Sequence, residues 1–340
     1  MMVRAISLFS GAGGMDLGFR KAGIKVVWAN DFNSSACETY RTNFGNDILQ
    51  GSITDFDYRT LPECDVVFGG PPCQGFSVAG KMNPDDPRSK LVFEFQKVVA
   101  AKRPRFFVME NVAALGRLSK FESVRKRLLD GYSKMGYNTR IEMLDSQDYG
   151  VPQRRERMIM IGTNGEETDI HFPRMKRKRI TARDVLSSFD EPGIGNNQGV
   201  CDARITMARH PVLRVSPYAG MLFNGMGRPI DLSRPSQTLP ASMGGNKTPI
   251  IDTKLLKDPD ADDWIAEIHA AAMSGKDVSR EKVPSYIRRI TVSEAAALQG
   301  FPRSFRFCGS RCDRYKQIGN SVPPPLAKAI AMEIVKTFRQ

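Results

Sequence analysis

Nowhere in the 340 residues do 18 apolar residues run without interruption, so no stretch reads as a membrane span. The opening residues pass straight into a strand-like run with no long apolar core or cleavage site, which points to a cytoplasmic protein. Cysteine is sparse: six residues, at 37, 64, 73, 201, 308 and 312, are too scattered for a disulfide framework. Histidine is scarcer still, with three in the chain, far in sequence from Cys308 and Cys312 and from Cys73. That distance argues against a zinc site, so no metal is expected, and it gives no sign of a Cys–His hydrolase pair. No internal repeat is present. The remaining shortage is of acid: 37 Asp and Glu face 50 Lys and Arg, a formal charge of +13 with a pI near 9.6. Such a balance says little about fold but favours a polyanionic partner.

What the chain does have is rhythm. Short apolar runs near residues 5–9, 25–29, 48–51, 65–68, 105–109, 139–144 and 157–162 read as strands. Between them, helical spacing predicts helices after the glycine-rich turn at 10–14, over 34–43 with Ser34 or Asn33 as cap, over 90–101, and from 121 to 135. Strands alternating with helices of this length predict an α/β fold with a mostly parallel, doubly wound sheet. After about residue 170 the rhythm fails. Between 171 and 240 eleven Lys and Arg stand against five Asp and Glu, and Gly, Pro and Asn are frequent, which predicts a second, irregular unit with long loops. Helical patterns return at 293–299 and 325–337.

Residues of chemical interest fall where predicted strands end. In open α/β sheets ligands bind beyond the carboxyl ends of the strands. Gly69-Gly70-Pro71-Pro72-Cys73-Gln74-Gly75-Phe76-Ser77 follows the run Val66-Val67-Phe68. Two prolines make its corner stiff, and a thiol follows at once. Cys37 and Cys64, without such a corner, read as small buried hydrophobes. Gly11-Ala12-Gly13-Gly14 suits close approach of a nucleotide-like ligand but lacks the Gly-x-Gly-x-x-Gly spacing of a dinucleotide site, which counts against a nicotinamide dehydrogenase. With Asp31 placed to accept from ribose hydroxyls, the pair suggests an adenosine-containing cofactor without a pyrophosphate. Glu110, at the end of the strand after Cys73, reads as a carboxyl in a partly apolar rim, able to donate a proton or hydrogen bond. Gln153-Arg154-Arg155-Glu156-Arg157 offers guanidinium groups to an anion or a planar acceptor edge.

Taken in order, Phe9-Ser10-Gly11-Ala12-Gly13-Gly14, the Pro-Pro-Cys corner, Glu110-Asn111-Val112, Gln153-Arg154-Arg155-Glu156-Arg157, Arg234-Pro235-Ser236-Gln237-Thr238-Leu239 and Gln317-Ile318-Gly319-Asn320-Ser321-Val322-Pro323 resemble the motifs of DNA (cytosine-5) methyltransferases of the bacterial modification type. The resemblance covers almost the whole chain apart from roughly 172–233. It implies a Rossmann-like class I S-adenosylmethionine-dependent methyltransferase fold over 1–178. A smaller, irregular target-recognition domain and hinge would occupy 179–315, and a C-terminal helix over 316–340 would return to the first domain. The implied reaction flips a cytosine out of the duplex, attacks ring carbon six with Cys73, and transfers the methyl group to carbon five. Glu110 would contact the ring nitrogen at position three and the exocyclic amine, and Arg155 the carbonyl at position two, with Arg157 and Gln153 in support.

The family's cofactor positions fall on Phe9, Ser10, Gly11, Ala12, Gly13, Asp31, Phe32, Pro71, Leu91, Asn320, Ser321 and Val322, and on Ile53 for packing against the adenine. Many relatives place an Asp where this chain has Ser52, with Asp55 three residues on. DNA contacts would come from Ser77, Lys81 and Arg88 of a loop closing over the duplex, and from Arg228, Arg234, Thr238, Gly244 and Gly245. The segments Asn224-Gly225-Met226-Gly227-Arg228 and Met243-Gly244-Gly245-Asn246-Lys247 would read bases in the major groove. The implied partners are double-stranded DNA and a cognate restriction endonuclease acting on the same site without forming a complex, and the implied state is a monomer. A transfer-RNA methyltransferase is the nearest alternative. The long basic segment, and Gln74-Gly75-Phe76 after the cysteine where RNA-directed relatives carry Phe-Thr, argue against it. Intact Cys73, Glu110 and Arg155 argue against a non-catalytic DNA-binding relative.

Overall fold

Apolar strands and amphipathic helices alternate through the first half of the chain, and the computed structural model shows the sheet they build; it describes residues 2–72, 90–165, 171–174 and 179–339. Two units result: Met1–Tyr149 with Arg155–Arg177 and Ser321–Gln340, and Gly150–Arg154 with Lys178–Asn320. The return to the first unit thus comes at Ser321 rather than 316, and the short stretch 150–154 belongs with the second.

The first unit runs β1 (Arg4–Leu8), α1 (Gly14–Lys21), β2 (Lys25–Asp31), α2 (Ser34–Phe44), β3 (Ile48–Gln50), β4 (Val66–Gly69), α3 (Leu91–Lys102), β5 (Phe106–Val112), α4 (Ala113–Arg117), α5 (Glu122–Lys134), β6 (Tyr137–Asp145) and β7 (Glu156–Asn164). The sheet order is β3-β2-β1-β4-β5-β7-β6. Pairs from β3 through β5 are parallel, whereas β7 lies antiparallel between β5 and β6. Side chains of one strand alternate between two cores. Val66, Phe68, Phe106 and Val108 enter one, with Phe19, Tyr40 and Ile330. Val67, Phe107 and Met109 enter the other, with Phe95, Leu128 and Tyr132. Burial on both faces explains why these strands read as continuous apolar runs. Asn33, not Ser34, caps α2, its side chain accepting from the Ala36 N–H at 2.9 Å.

Two glycines set close approaches. A Cβ on Gly18 of α1 would lie 2.5 Å from the Ala327 Cβ, where the last helix crosses. A Cβ on Gly69 would lie 2.1 Å from the Leu8 carbonyl oxygen, its ladder neighbour. Because both sides of that clash are strand backbone, Gly69→Ala is expected to destabilise the chain by about 3 kcal/mol. Urea unfolding monitored by circular dichroism measures this, and a loss below about 1 kcal/mol would show that the strands can part there.

The second unit contains α6 (Ala182–Leu186), β8 (Met207–Val212), β9 (Met221–Phe223), β10 (Ile250–Asp252), α7 (Thr253–Lys257), α8 (Trp264–Met273), β11 (Ile287–Arg289), α9 (Val292–Leu298) and α10 (Arg311–Asn320). Two small antiparallel ribbons, β8–β9 and β10–β11, and two apolar clusters support its long loops. Helix α11 (Pro324–Arg339) then packs on α1 of the first unit. Among the described residues no helix is long and apolar enough to cross a membrane.

Candidate active site

The carboxyl ends of β3, β2, β1 and β4 lie side by side, and each delivers residues singled out in the sequence. Past β1 the chain turns through left-handed backbone at Phe9 (φ 53°), Gly11 (φ 56°) and Gly13 (φ 87°). For Phe9 this conformation is strained, a feature that collects at functional loops. The Ser10 N–H donates to the Asn30 carbonyl at 2.9 Å. The Gly11 N–H donates to Asp31 Oδ2 at 2.8 Å, and Asp31 Oδ1 accepts from the Asn33 N–H at 2.8 Å. Asp31 therefore braces the glycine loop and the start of α2. Burial raises its pKa, and the N–H groups of Asn33, Gly11 and Phe32 act against that.

Beyond Asp31 the Phe32 side chain is 66% exposed, an apolar face in water at the strand end. The Asn30 amide donates to the carbonyls of Leu49 (3.2 Å) and Gly51 (2.9 Å), tying the end of β3 to β2. Ser52 caps the single helical turn Ile53–Asp55, and its N–H donates to Asp55 Oδ2 at 2.9 Å. That bond turns Asp55 back on Ser52, while Ile53 is buried. Ala12 and Pro71 are buried, Leu91 opens α3 half-buried, and Ser321 and Val322 are buried ahead of α11. A Cβ at Gly11 would meet nothing within 4 Å, so the loop faces open space.

Glu110 lies within β5, not past its end, opposite Ile159 of β7. The ladder from β4 stops at Met109, so Glu110, Asn111 and Val112 pair with β7 alone, and one flank of β5 is free at the level of the Pro-Pro corner. The Asn111 amide donates to the Pro71 carbonyl at 3.1 Å and pins that corner. A Cβ on Gly70 would lie 3.0 Å from Glu110 Oε2, so the carboxyl group stands against the backbone that leads to Cys73. Arg157 Nε pairs with Glu110 Oε1 at 2.9 Å, and both side chains are largely buried. Arg155 is buried, its N–H donating to Asp145 Oδ1 at 2.9 Å. Burial pushes the Glu110 pKa up, and the charges of Arg157 and Arg155, with the Arg157 hydrogen bond, only partly offset it. Cys73, Ser77, Lys81 and Arg88 lie outside the described residues.

Gln153 and Asn320 fall in the second unit. The buried Gln153 carboxamide donates to Gln299 Oε1 (2.6 Å) and the Leu298 carbonyl (3.3 Å) and accepts from the Leu239 N–H (3.1 Å). Thr238 is exposed and donates to the Arg154 carbonyl at 2.8 Å. Arg228 and Arg234 are exposed, Arg234 making a 3.5 Å ion pair with Asp231. Asn320, at the end of α10, is exposed.

Sequence reasoning passed over Arg289. It is buried, and its guanidinium reaches the Ala203 carbonyl (3.1 Å), the Thr248 carbonyl (2.7 Å) and Asn224 Oδ1 (3.2 Å). With the Gly227 N–H donating to the Asn246 carbonyl at 3.0 Å, it clasps together the segments 224–228 and 243–247. Within the second of these segments Gly244 has φ 110° and lies against Cys312, and Gly245 is open to space. Nothing in Arg288-Arg289 marks the second arginine as the inward one; strand register decides it.

This sheet order, with a glycine loop and an acidic strand end at one edge, defines a class I S-adenosylmethionine-dependent methyltransferase fold. Residues 3–336 match the family described as C-5 cytosine-specific DNA methylase, and the chain belongs to that family. The Type II methyltransferase M1.HphI of Haemophilus parahaemolyticus is 32% identical over 352 residues, spanning 99% of this chain and 87% of its own. M.MthTI of Methanothermobacter thermautotrophicus is 32% identical, spanning 97% and 96%. The solved structure of the S. pombe Dnmt2 methyltransferase shares the fold, with a TM-score of 0.67 at 18% identity over 99% of this chain and 98% of that one. The protein is a DNA cytosine methyltransferase of the Type II modification kind.

Proposed function

We propose that this enzyme takes a cytosine out of duplex DNA and methylates its carbon five through a covalent bond to Cys73. The observation that carries the proposal is the Glu110 carboxyl group, held against Gly70 at the root of the Pro-Pro-Cys corner and braced by Arg157. A base inside the stack cannot meet a thiol and a carboxyl group at once, so the target must be extruded. The Cys73 thiolate bonds to carbon six while Glu110 holds a proton towards ring nitrogen three, taking up the electron density pushed into the ring. Arg155 holds the carbonyl at position two, and Arg157 fixes Glu110.

The glycine loop, Asp31 and Phe32 would hold S-adenosylmethionine, with Ile53, Pro71, Leu91, Ser321 and Val322 lining the pocket and Asn320 assigned to the same ligand by family position alone. Bound there, it supplies a methyl group on a sulfonium. Transfer would leave S-adenosylhomocysteine; the carbon-five proton then passes to water, its electron pair restores the ring double bond, and the carbon–sulfur bond breaks to return the Cys73 thiolate. The second unit is assigned to target recognition, with Arg228, Arg234, Thr238, Gly244 and Gly245 contacting the DNA; Ser77, Lys81 and Arg88 are assigned DNA contacts by family position. Kinship with Type II methyltransferases supports a modification role. In this reading the enzyme works as a cytoplasmic monomer beside an endonuclease of the same specificity.

DNA amplified with 5-fluorodeoxycytidine triphosphate tests the chemistry without knowledge of the target sequence. Fluorine at carbon five blocks the final elimination. Incubation with S-adenosylmethionine should leave a denaturation-resistant protein–DNA adduct, mapped by peptide mass to Cys73. Methylation of ordinary DNA with no adduct on the fluorinated DNA would overturn the covalent route.

A further inference from the structure

Asp16, in the first turn of α1, is fully buried, and among the described residues no cation lies within ion-pair distance of it. Its Oδ2 accepts from the Ser7 hydroxyl at 3.0 Å and its Oδ1 from the Tyr40 hydroxyl at 2.9 Å. Ser7 Oγ lies 2.8 Å from Ser10 Oγ, which also donates to the Ser7 carbonyl (3.2 Å) and accepts from the Asn30 N–H (3.3 Å). An unbroken chain of hydroxyls thus links the buried carboxyl group to the glycine loop. Residues of β1 and α2 thus converge on an acid carried by α1.

We propose that Asp16 is a positioning residue whose protonation reverses the hydrogen bonds through Ser7 and Ser10 and so alters the grip of the glycine loop on its ligand. Ionised, the carboxylate only accepts, so the single Ser7 proton points to Asp16 and Ser10 must be the donor to Ser7. Ser10 is then held down and the loop is fixed. Protonated, Asp16 donates to Ser7, Ser7 turns its proton to Ser10, and the Ser10 proton moves from Ser7 Oγ at 2.8 Å to the Ser7 carbonyl at 3.2 Å, a longer hold. Burial pushes the Asp16 carboxyl up to about 6, with the Tyr40 and Ser7 hydrogen bonds and the Arg20 charge acting against it. The reversal therefore falls in an accessible range.

The titratable groups facing Asp16 are Tyr40 from α2 and Arg20 from its own helix. Burial keeps Tyr40 neutral, and Arg20 is itself engaged by Asp47 at 3.3 Å. Strand β1 brings only Ser7, and α11 adds the apolar Leu326, Ala327 and Ile330 to the shared core.

This inference rests on the reading that the loop holds S-adenosylmethionine, and calorimetry on the full chain without DNA tests the two separately. From pH 7.5 to 5, wild-type affinity should fall by about threefold more than Asp31 alone accounts for, the worth of weakening one hydrogen bond. Asp31 contributes the same pH dependence in every variant, so the difference from Asp16→Asn isolates Asp16. Asp16→Asn and Ser7→Ala should both lack the component near pH 6, while carbon-13 carboxyl resonances show Asp16 still titrating in Ser7→Ala. Full wild-type pH dependence in Asp16→Asn overturns the proposal. So does its retention in Ser7→Ala, which would mean a field acting through space. Ser7→Ala alone decides the matter if Asp16→Asn fails to fold. Absence of wild-type binding at every pH defeats the cofactor reading, and the inference with it.

Discussion

Replacing Cys73 by alanine should lower methyl transfer by about 10⁴-fold or more, the loss seen when a covalent nucleophile is removed, while DNA binding survives. Four buried residues of β4 lead to the corner, Pro71 and Pro72 fix its backbone, and the Asn111 amide holds the Pro71 carbonyl. The chain is thus held as far as Pro72, and removing the sulfur of the next residue leaves that support intact. Neither other thiol of the first unit can substitute. Burial pushes Cys37 up to about 11 and Cys64 to about 12, so both are protonated at neutral pH, and a thiol attacks only as its thiolate. Transfer of tritiated methyl groups to DNA, with gel-shift affinity measured in parallel, gives both numbers. Transfer within tenfold of wild type from Cys73→Ala would exclude attack by this residue. Loss of binding together with transfer would mean the cysteine holds the fold.

Strand and helix periodicity made the first unit legible because each strand is apolar on both faces and each helix on one. The partners of those strands were less visible. Periodicity states which residues are buried but not the direction of pairing, so the insertion of β7 antiparallel between β5 and β6 could not be read. Glu110 was placed one step too late for a related reason. Glu and Asn are poor strand formers, yet β5 runs on through both because β7 offers backbone partners to Val112. In the second unit the Gln317-Ile318-Gly319-Asn320 motif was legible as a motif and not as helix α10. A glycine argues against helix, but Gly319 packs against Pro240 and Ala241 where a Cβ would come within 2.6 Å. Arg289 shows the limit most plainly. Its role depends on three carbonyl or amide oxygens brought from distant segments, and nothing local announces them.

Glu110 carries the second large effect. Glu110→Gln should reduce kcat/KM by about 10²–10⁴-fold, since an amide keeps hydrogen-bonding capacity but cannot pass on a proton. The sign of the pH dependence follows from burial winning over Arg157 and Arg155. A carboxyl group with its folded-state pKa raised binds its proton more tightly in the folded chain than in the unfolded one. Its contribution to stability is therefore present at low pH and is lost as pH rises from the ordinary carboxyl range through the raised value. Catalysis that uses the protonated form falls along the same limb. Arg157→Gln removes the cation 2.9 Å from Oε1 and with it the leading influence holding that pKa down. In single-turnover profiles, the limb on which rate falls with rising pH should accordingly move to higher pH in Arg157→Gln and vanish in Glu110→Gln. A limb that stays put or moves to lower pH when Arg157 is replaced would mean that the ionised carboxylate is the working form, so that Glu110 accepts from the exocyclic amine and does not donate to the ring.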